Sequence, residues 1–317
     1  MPYPIPTDHE RRALFGWLKQ ASSLTAWRRL YSHHQVFVDA VAKAYVDEQS
    51  TPGMKLTIPT DWYADVLRSH DAFYAALERL ARGDRRCFTY LGASGHFSQG
   101  LLHVEWWQDM YYGGFVGRNG FEPENSPHWP EIEKAMHQCL AALSDISVVL
   151  QPRGMDAPAP ISEMGDYYSL PASSLIKHWA SQSVLPAVPS AVVPEVLVAT
   201  GKMIPCYGIW EPVRMGRRAD AGRTSGGQTY ALADSREVDG RSLDGYMNYL
   251  HADFAAPTIE FEEDGPRNDG RPAMWRLVWG DDRYGEKPIP EEETQYVFVQ
   301  PVLGEVLFKY SGVPRPL

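Results

Sequence analysis

Between Ser183 and Pro194 the chain reads SVLPAVPSAVVP, with a proline every three to five residues. Proline has no backbone donor and disfavours helix in the residue before it, so neither a helix nor a central strand runs through such a stretch. It is read as a linker, and the texture of the sequence differs on its two sides.

Before it, apolar residues recur every three or four positions. Leu24, Trp27, Tyr31, His34, Val38, Val41 and Tyr45 form one stripe. Tyr63, Val66, Leu67, His70, Phe73, Tyr74, Leu77 and Leu80 form a second, with Thr60 as its expected N-cap and Gly83 at its end. A third starts at Trp129-Pro130 and continues through Ile132, Met136, Cys139, Leu140, Leu143 and Ile146. A short helix over Glu10 to Ser22, another from Gln99 to Phe115 and a small one over 172–182 are expected as well. Residues 151–171 are rich in Pro, Gly and Ser. Beyond the linker, EVLVAT (195–200), GIWEPV (208–213), QTYALA (228–233), MWRLVW (274–279), TQYVFV (294–299) and EVLFKY (305–310) are β-prone runs between Gly, Pro and Asp. The expected class is α+β: a mostly α-helical N-terminal bundle, then a smaller β-rich region with long loops. The expected domains are 1–182 (helical), 183–194 (linker) and 195–317 (β-rich). No βαβ rhythm suggests a nucleotide-binding fold.

A formal net charge of −10 argues against a nucleic-acid partner, which needs a basic face, and suits a basic protein partner. Cys87, Cys139 and Cys206 are odd in number and far apart, so neither a disulfide framework nor a zinc ribbon is expected. MPYPIPTDHERR has no apolar core of a secretory signal, and no run of 18 apolar residues occurs. No membrane partner and a cytoplasmic location are expected.

Catalytic patterns are incomplete. GHFSQG (95–100) places His96 where a nucleophile elbow needs glycine, which weakens Ser98 as a nucleophile. His34 and His70 sit on apolar stripes, where a core histidine is commoner than a ligand, and no HExxH occurs, so no metal is expected. Neither phosphate-binding glycine pattern is present, and no cofactor is expected. Acidic residues cluster at Glu260, Glu262, Glu263 and Asp264, at Asp281-Asp282, and at Glu291 to Glu293. They read as a solvated face or a protein-binding face. In TGKMIPCYGIWEP (200–212), no histidine stands near Cys206, and Pro205 with Gly208 describes a tight turn rather than a thiol site.

That string, taken as T-G-x-x-x-P-x-x-G-x-W through Thr200, Gly201, Pro205, Gly208 and Trp210, resembles a segment of bacterial polymorphic-toxin immunity proteins, families 71 and 72, found beside type VI secretion effectors. RRALFGWLKQASSLTAWRRL, RLARGDRRCFTYLG, GYMNYLHADFAAP and WRLVWGDDRYGEKPIPEEE look similar to the same group. The resemblance implies a protein with no catalytic residues that binds and neutralises one cognate toxin, a nuclease being the class that fits an acidic inhibitor. Expected toxin contacts are Glu260, Glu262, Glu263, Asp264, Asp281, Asp282 and Arg283, with Trp106, Trp107, Tyr111 and Tyr112 as aromatic anchors or, equally, as helix core. The alternative is a cytoplasmic hydrolase using Cys206 or Ser98.

Overall fold

The computed structural model describes residues 6–89, 96–112, 125–150, 185–190, 192, 194–214, 224–225, 228–229, 237–259 and 272–298. Its helices are α1 (Asp8–Ala21), α2 (Leu24–Ser50), α3 (Thr60–Ala81), α4 (Phe97–Tyr112) and α5 (Trp129–Ser144). Strands follow as β1 (Leu197–Ala199), β2 (Gly208–Val213), β3 (Thr224–Ser225), β4 (Gln228–Thr229), β5 (Glu237–Val238), β6 (Arg241–Ser242), β7 (Asn248–Leu250) and β8 (Met274–Gly280). The class is α+β, as the change of periodicity implies.

By contact the chain forms two compact units, each discontinuous in sequence. One is Met1–Gln20 with Gln151–Asp282; the other is Ala21–Leu150 with Arg283–Leu317. This grouping follows a different line from the order of textures along the chain.

The second unit is the helical one. Along α2 and α3 the stripes bury Trp27, Phe37, Val41, Val66, Phe73 and Leu80 completely. Trp27 stacks on Phe97 with centroids 3.8 Å apart, and Phe73 meets Phe97 edge-on at 5.5 Å. Gly100 makes this approach of α4 possible: a Cβ there would stand 2.6 Å from the Phe73 Cβ. Gly83, at φ +81, ends α3. Its N–H donates to Leu80 O at 2.8 Å and that of Asp84 to Arg79 O at 2.9 Å, the paired bonds of a Schellman stop. Thr60 does not cap α3 as expected. The cap position is Pro59, and Thr60 Oγ1 instead bonds Tyr45 Oη at 2.9 Å.

The start of α2 is capped twice. Ser23 Oγ accepts from Ala26 N at 3.1 Å, and no acidic residue lies in the first turn of the helix itself. Glu293 supplies that charge from far along the chain, accepting from Thr25 N at 3.1 Å. A carboxylate at a helix N-terminus meets both unpaired amides and the positive end of the dipole. Tyr284 Oη accepts from Leu24 N at 2.7 Å and donates to Glu293. Two expectations are corrected here. Thr294 and Gln295, in a run read as a strand, belong to a 3-10 turn over Glu291–Gln295, and Glu293, in a run read as solvated or protein-binding, is buried. EVLFKY lies outside the described residues, as do 172–182 and 230–233, the part of QTYALA beyond β4.

The first unit holds an antiparallel sheet in the order β1-β8-β2-β7. β2, the run GIWEPV, is buried at every position. Val198, Ile204, Trp210, Leu250, Trp275 and Leu277 form its core. Strand β7, only three residues long, gives no readable alternation in the sequence. Glu211 and Arg276 are direct cross-strand partners, and both Arg276 Nε, at 3.1 Å, and Nη2 donate to Glu211 Oε1. Arg11, on α1, grips the same carboxylate with two bonds of 2.9 and 3.0 Å. Arg12 Nε also donates to the Pro186 carbonyl at 3.1 Å. The first helix thus belongs with the sheet.

Losing one partner of such a buried group strands the others without water or counter-charge. Glu211→Gln is expected to destabilise the protein by about 3–5 kcal/mol in urea unfolding, leaving two buried guanidiniums with no anion between them. A loss within ~0.5 kcal/mol would mean the network carries no weight.

Candidate functional site

The residues of TGKMIPCYGIWEP have structural work to do. Thr200 Oγ1 donates to Pro257 O and accepts from Ala273 N, each at 2.9 Å, tying the end of β1 to two other segments. Gly201 sits at φ +79, where a side chain is strained. Gly208 lets β2 pass β8, since a Cβ there would stand 2.2 Å from the Trp279 carbonyl oxygen. Trp210 is wholly buried, whereas Pro205 is exposed in the turn. Cys206 is half-buried and packs against the sheet core. Burial pushes its thiol pKa up, the opposite of what an activated nucleophile needs. Ser98 lies in the first turn of α4 with its side chain buried, and His96 Nδ1 accepts from Gln99 N at 3.1 Å as part of that helix start.

The expected contact residues divide sharply. Glu260, Glu262, Glu263 and Asp264 lie outside the described residues. Asp281 is turned inward: its backbone N–H donates to Tyr207 O at 2.9 Å and its carboxylate accepts from Tyr249 Oη at 2.8 Å. Asp282 is exposed. Arg283 is buried, donating to Ser22 Oγ at 2.7 Å and lying 3.6 Å from Glu293. Asp281 and Asp282 belong to the first unit, Arg283 and the four aromatics to the second. Trp107 is fully buried against Phe37, at 5.5 Å, so its place is the helix core rather than a contact surface. Trp106 packs on Trp62 at 4.3 Å and Tyr111 on Trp129 at 4.6 Å, both partly exposed. Of Tyr112 only the backbone is described, in the last turn of α4.

His34, buried, and His70, half-buried, lie on the apolar stripes of α2 and α3. They face each other: His34 Nδ1 lies 3.2 Å from His70 Nδ1, and Tyr31 Oη lies 2.8 Å from His70 Nε2. His34 Nε2 is buried and meets no partner among the described residues. Burial, then the nearby His70 and His103, lower the His34 pKa to about 3. On the same unit, burial raises Asp145 to about 7, offset in part by Arg29 at 3.4 Å. Among the described residues no group of three or more His, Cys, Asp or Glu is placed to hold a metal, and no helix is long and apolar enough to cross a membrane.

The chain matches the family model described as Immunity protein 71 over residues 5–160 and that described as Immunity protein 72 over residues 189–297. It belongs to these immunity-protein families. Membership carries a toxin-neutralising immunity role. No curated protein and no solved structure matches the chain. In this immunity protein each family segment contributes to both compact units. The segment matching family 71 supplies α1 to the sheet-bearing unit, and the segment matching family 72 supplies Arg283, Tyr284 and Glu293 to the helical one.

The two titrating groups act on stability with opposite sign. His34 has an ordinary value of 6.5 and about 3 in the fold, so unfolding takes up a proton between them. Its contribution is complete above pH 6.5 and is lost as pH falls. Asp145 goes from an ordinary 3.8 to about 7, so the fold holds the proton and stability drops as pH rises through that window. Between about pH 4.5 and 6, His34→Gln is expected to lower the slope of stability against pH by up to about 1.4 kcal/mol per unit, and Asp145→Asn to raise it by as much. Urea titrations across that range check both signs. Cys206 is expected to label with a thiol reagent at neutral pH no faster than an unactivated cysteine; fast labelling would restore the hydrolase reading.

Proposed function

We propose that this immunity protein binds one cognate secreted toxin in a stoichiometric complex and blocks it without chemistry of its own. The toxin in this reading is a type VI secretion effector that acts in the cytoplasm, where its inhibitor resides, and its activity is that of a nuclease. The observation that carries the proposal is the net charge of −10 on a chain of the immunity families. A nuclease groove is basic because it receives phosphates, and an acidic inhibitor is drawn to it quickly and in a defined orientation.

Asp282, with Glu260, Glu262, Glu263 and Asp264, would supply charge to that encounter. Trp106, Tyr111 and Tyr112 would add apolar contact at the end of α4. Asp281, Arg283 and Trp107 are buried and make their contacts within the fold.

The test is co-expression with the product of the adjacent reading frame. The expected outcome is that the neighbouring protein kills cells alone, is tolerated with this chain, and co-purifies with it at one-to-one stoichiometry. A toxic neighbour that neither binds nor is silenced would end the proposal. Nuclease activity in the freed toxin, suppressed on adding the inhibitor, would establish the finer part of it.

A further inference from the structure

The helical unit carries an exposed aromatic seam that none of the expected contacts includes. On α3, Tyr63, Leu67, His70 and Tyr74 follow one another at spacings of four, three and four, which puts them in one row about 16 Å long. From α2, two tyrosines close against this row. Tyr31 stacks on His70 with centroids 4.7 Å apart and 14° between planes, and it also reaches Tyr74 at 6.1 Å. At the other end Tyr45 stacks on Tyr63 at 4.4 Å and 19°. Tyr74 remains 53 % exposed and Leu67 38 %. Solitary exposed apolar residues are ordinary, but a row of stacked, part-exposed aromatics that opens to water at Leu67 and Tyr74 marks a contact surface.

Arg68, beside Leu67, is paired with Asp65, but two carboxylates near the seam are not matched in this way. Asp39 and Asp71 are exposed, and both lie close enough to act on the His70 ring. Asp39 accepts from its neighbour Gln35 at 2.8 Å, and neither carboxylate meets a Lys or Arg among the described residues. Aromatic rings beside carboxylates that have no Lys or Arg partner form a receptor for guanidinium and ammonium groups. The cation lies over the ring, its stem covers the apolar row, and its N–H groups reach the carboxylate. A nucleic acid is repelled by the same charges, and so is a second copy of a chain that carries −10.

We propose that the α2–α3 seam is the docking surface for a cationic, arginine-bearing face of the toxin, with Tyr74 as anchor and Asp71 as the charge that fixes its orientation. This rests on the toxin-binding reading above. Rigid aromatic side chains already stacked on one another lose little freedom on binding, which favours them as anchors.

The experiment measures the affinity of purified toxin from the adjacent reading frame for the wild type, Tyr74→Ala, Asp71→Lys and a control, Glu286→Lys, at an exposed position that is not part of the row. Melting temperatures verify that each variant is folded. Tyr74→Ala and Asp71→Lys are each expected to weaken Kd about tenfold or more, with Glu286→Lys unchanged. If the wild type binds and both seam variants bind as tightly, the seam is overturned while the toxin reading stands. Equal losses in Asp71→Lys and Glu286→Lys reduce the effect of Asp71 to net charge and overturn its part in the seam. If the wild type fails to bind, the toxin reading falls and takes the seam with it. Sedimentation of the chain alone is expected to show no self-association through the seam; a dimer abolished by Tyr74→Ala would give the surface to a second copy instead.

Discussion

A single buried carboxylate organises the sheet-bearing unit. Glu211 is set in the middle of a strand with no exposed position, where an unpaired anion could not remain charged. Arg276 meets it from the next strand and Arg11 from the first helix. The arrangement adds little over a well-packed apolar centre, because desolvating the ions consumes most of what their attraction returns. It does make the alternatives expensive. Sliding β2 by one residue would turn Glu211 away from Arg276, and undocking α1 would remove half of its hydrogen bonds.

The helical half was legible because its information is local. Three apolar stripes, a glycine stop after Leu80 and a proline opening at Trp129-Pro130 each announce themselves within a dozen residues. GIWEPV and MWRLVW could be read as strands for the same reason, being short β-prone runs between turns. What escaped was every feature that depends on a distant partner. Arg11 in DHERRALFGW looks like a surface charge until Glu211, two hundred residues on, comes to meet it. Glu293 looks like one more solvated acid in EEE, and its burial makes sense only beside the acid-free first turn of α2, Tyr284 and Arg283.

The candidate site was less legible than the fold for a related physical reason. Charge and aromatic content are visible in composition, but exposure is not. Asp281 and Asp282 are neighbours with the same side chain, yet one is bonded to Tyr249 and the other faces water. Trp106 and Trp107 divide in the same way, because consecutive helical residues point about 100° apart. The thirteen-residue string around Cys206 identified the family through residues that maintain geometry: a threonine clamp, a positive-φ glycine, a glycine at a strand crossing and a core tryptophan.

The clasp that Tyr284 and Glu293 place on the first turn of α2 has a consequence for biosynthesis. Chain leaves the ribosome from the N-terminus, so α2 emerges long before the carboxylate that complements its dipole exists. Until the segment carrying Tyr284 and Glu293 has been made, that turn relies on Ser23 alone and the helical unit lacks one of its own parts. The helical unit is thereby completed only by a residue 268 positions beyond the turn that it caps.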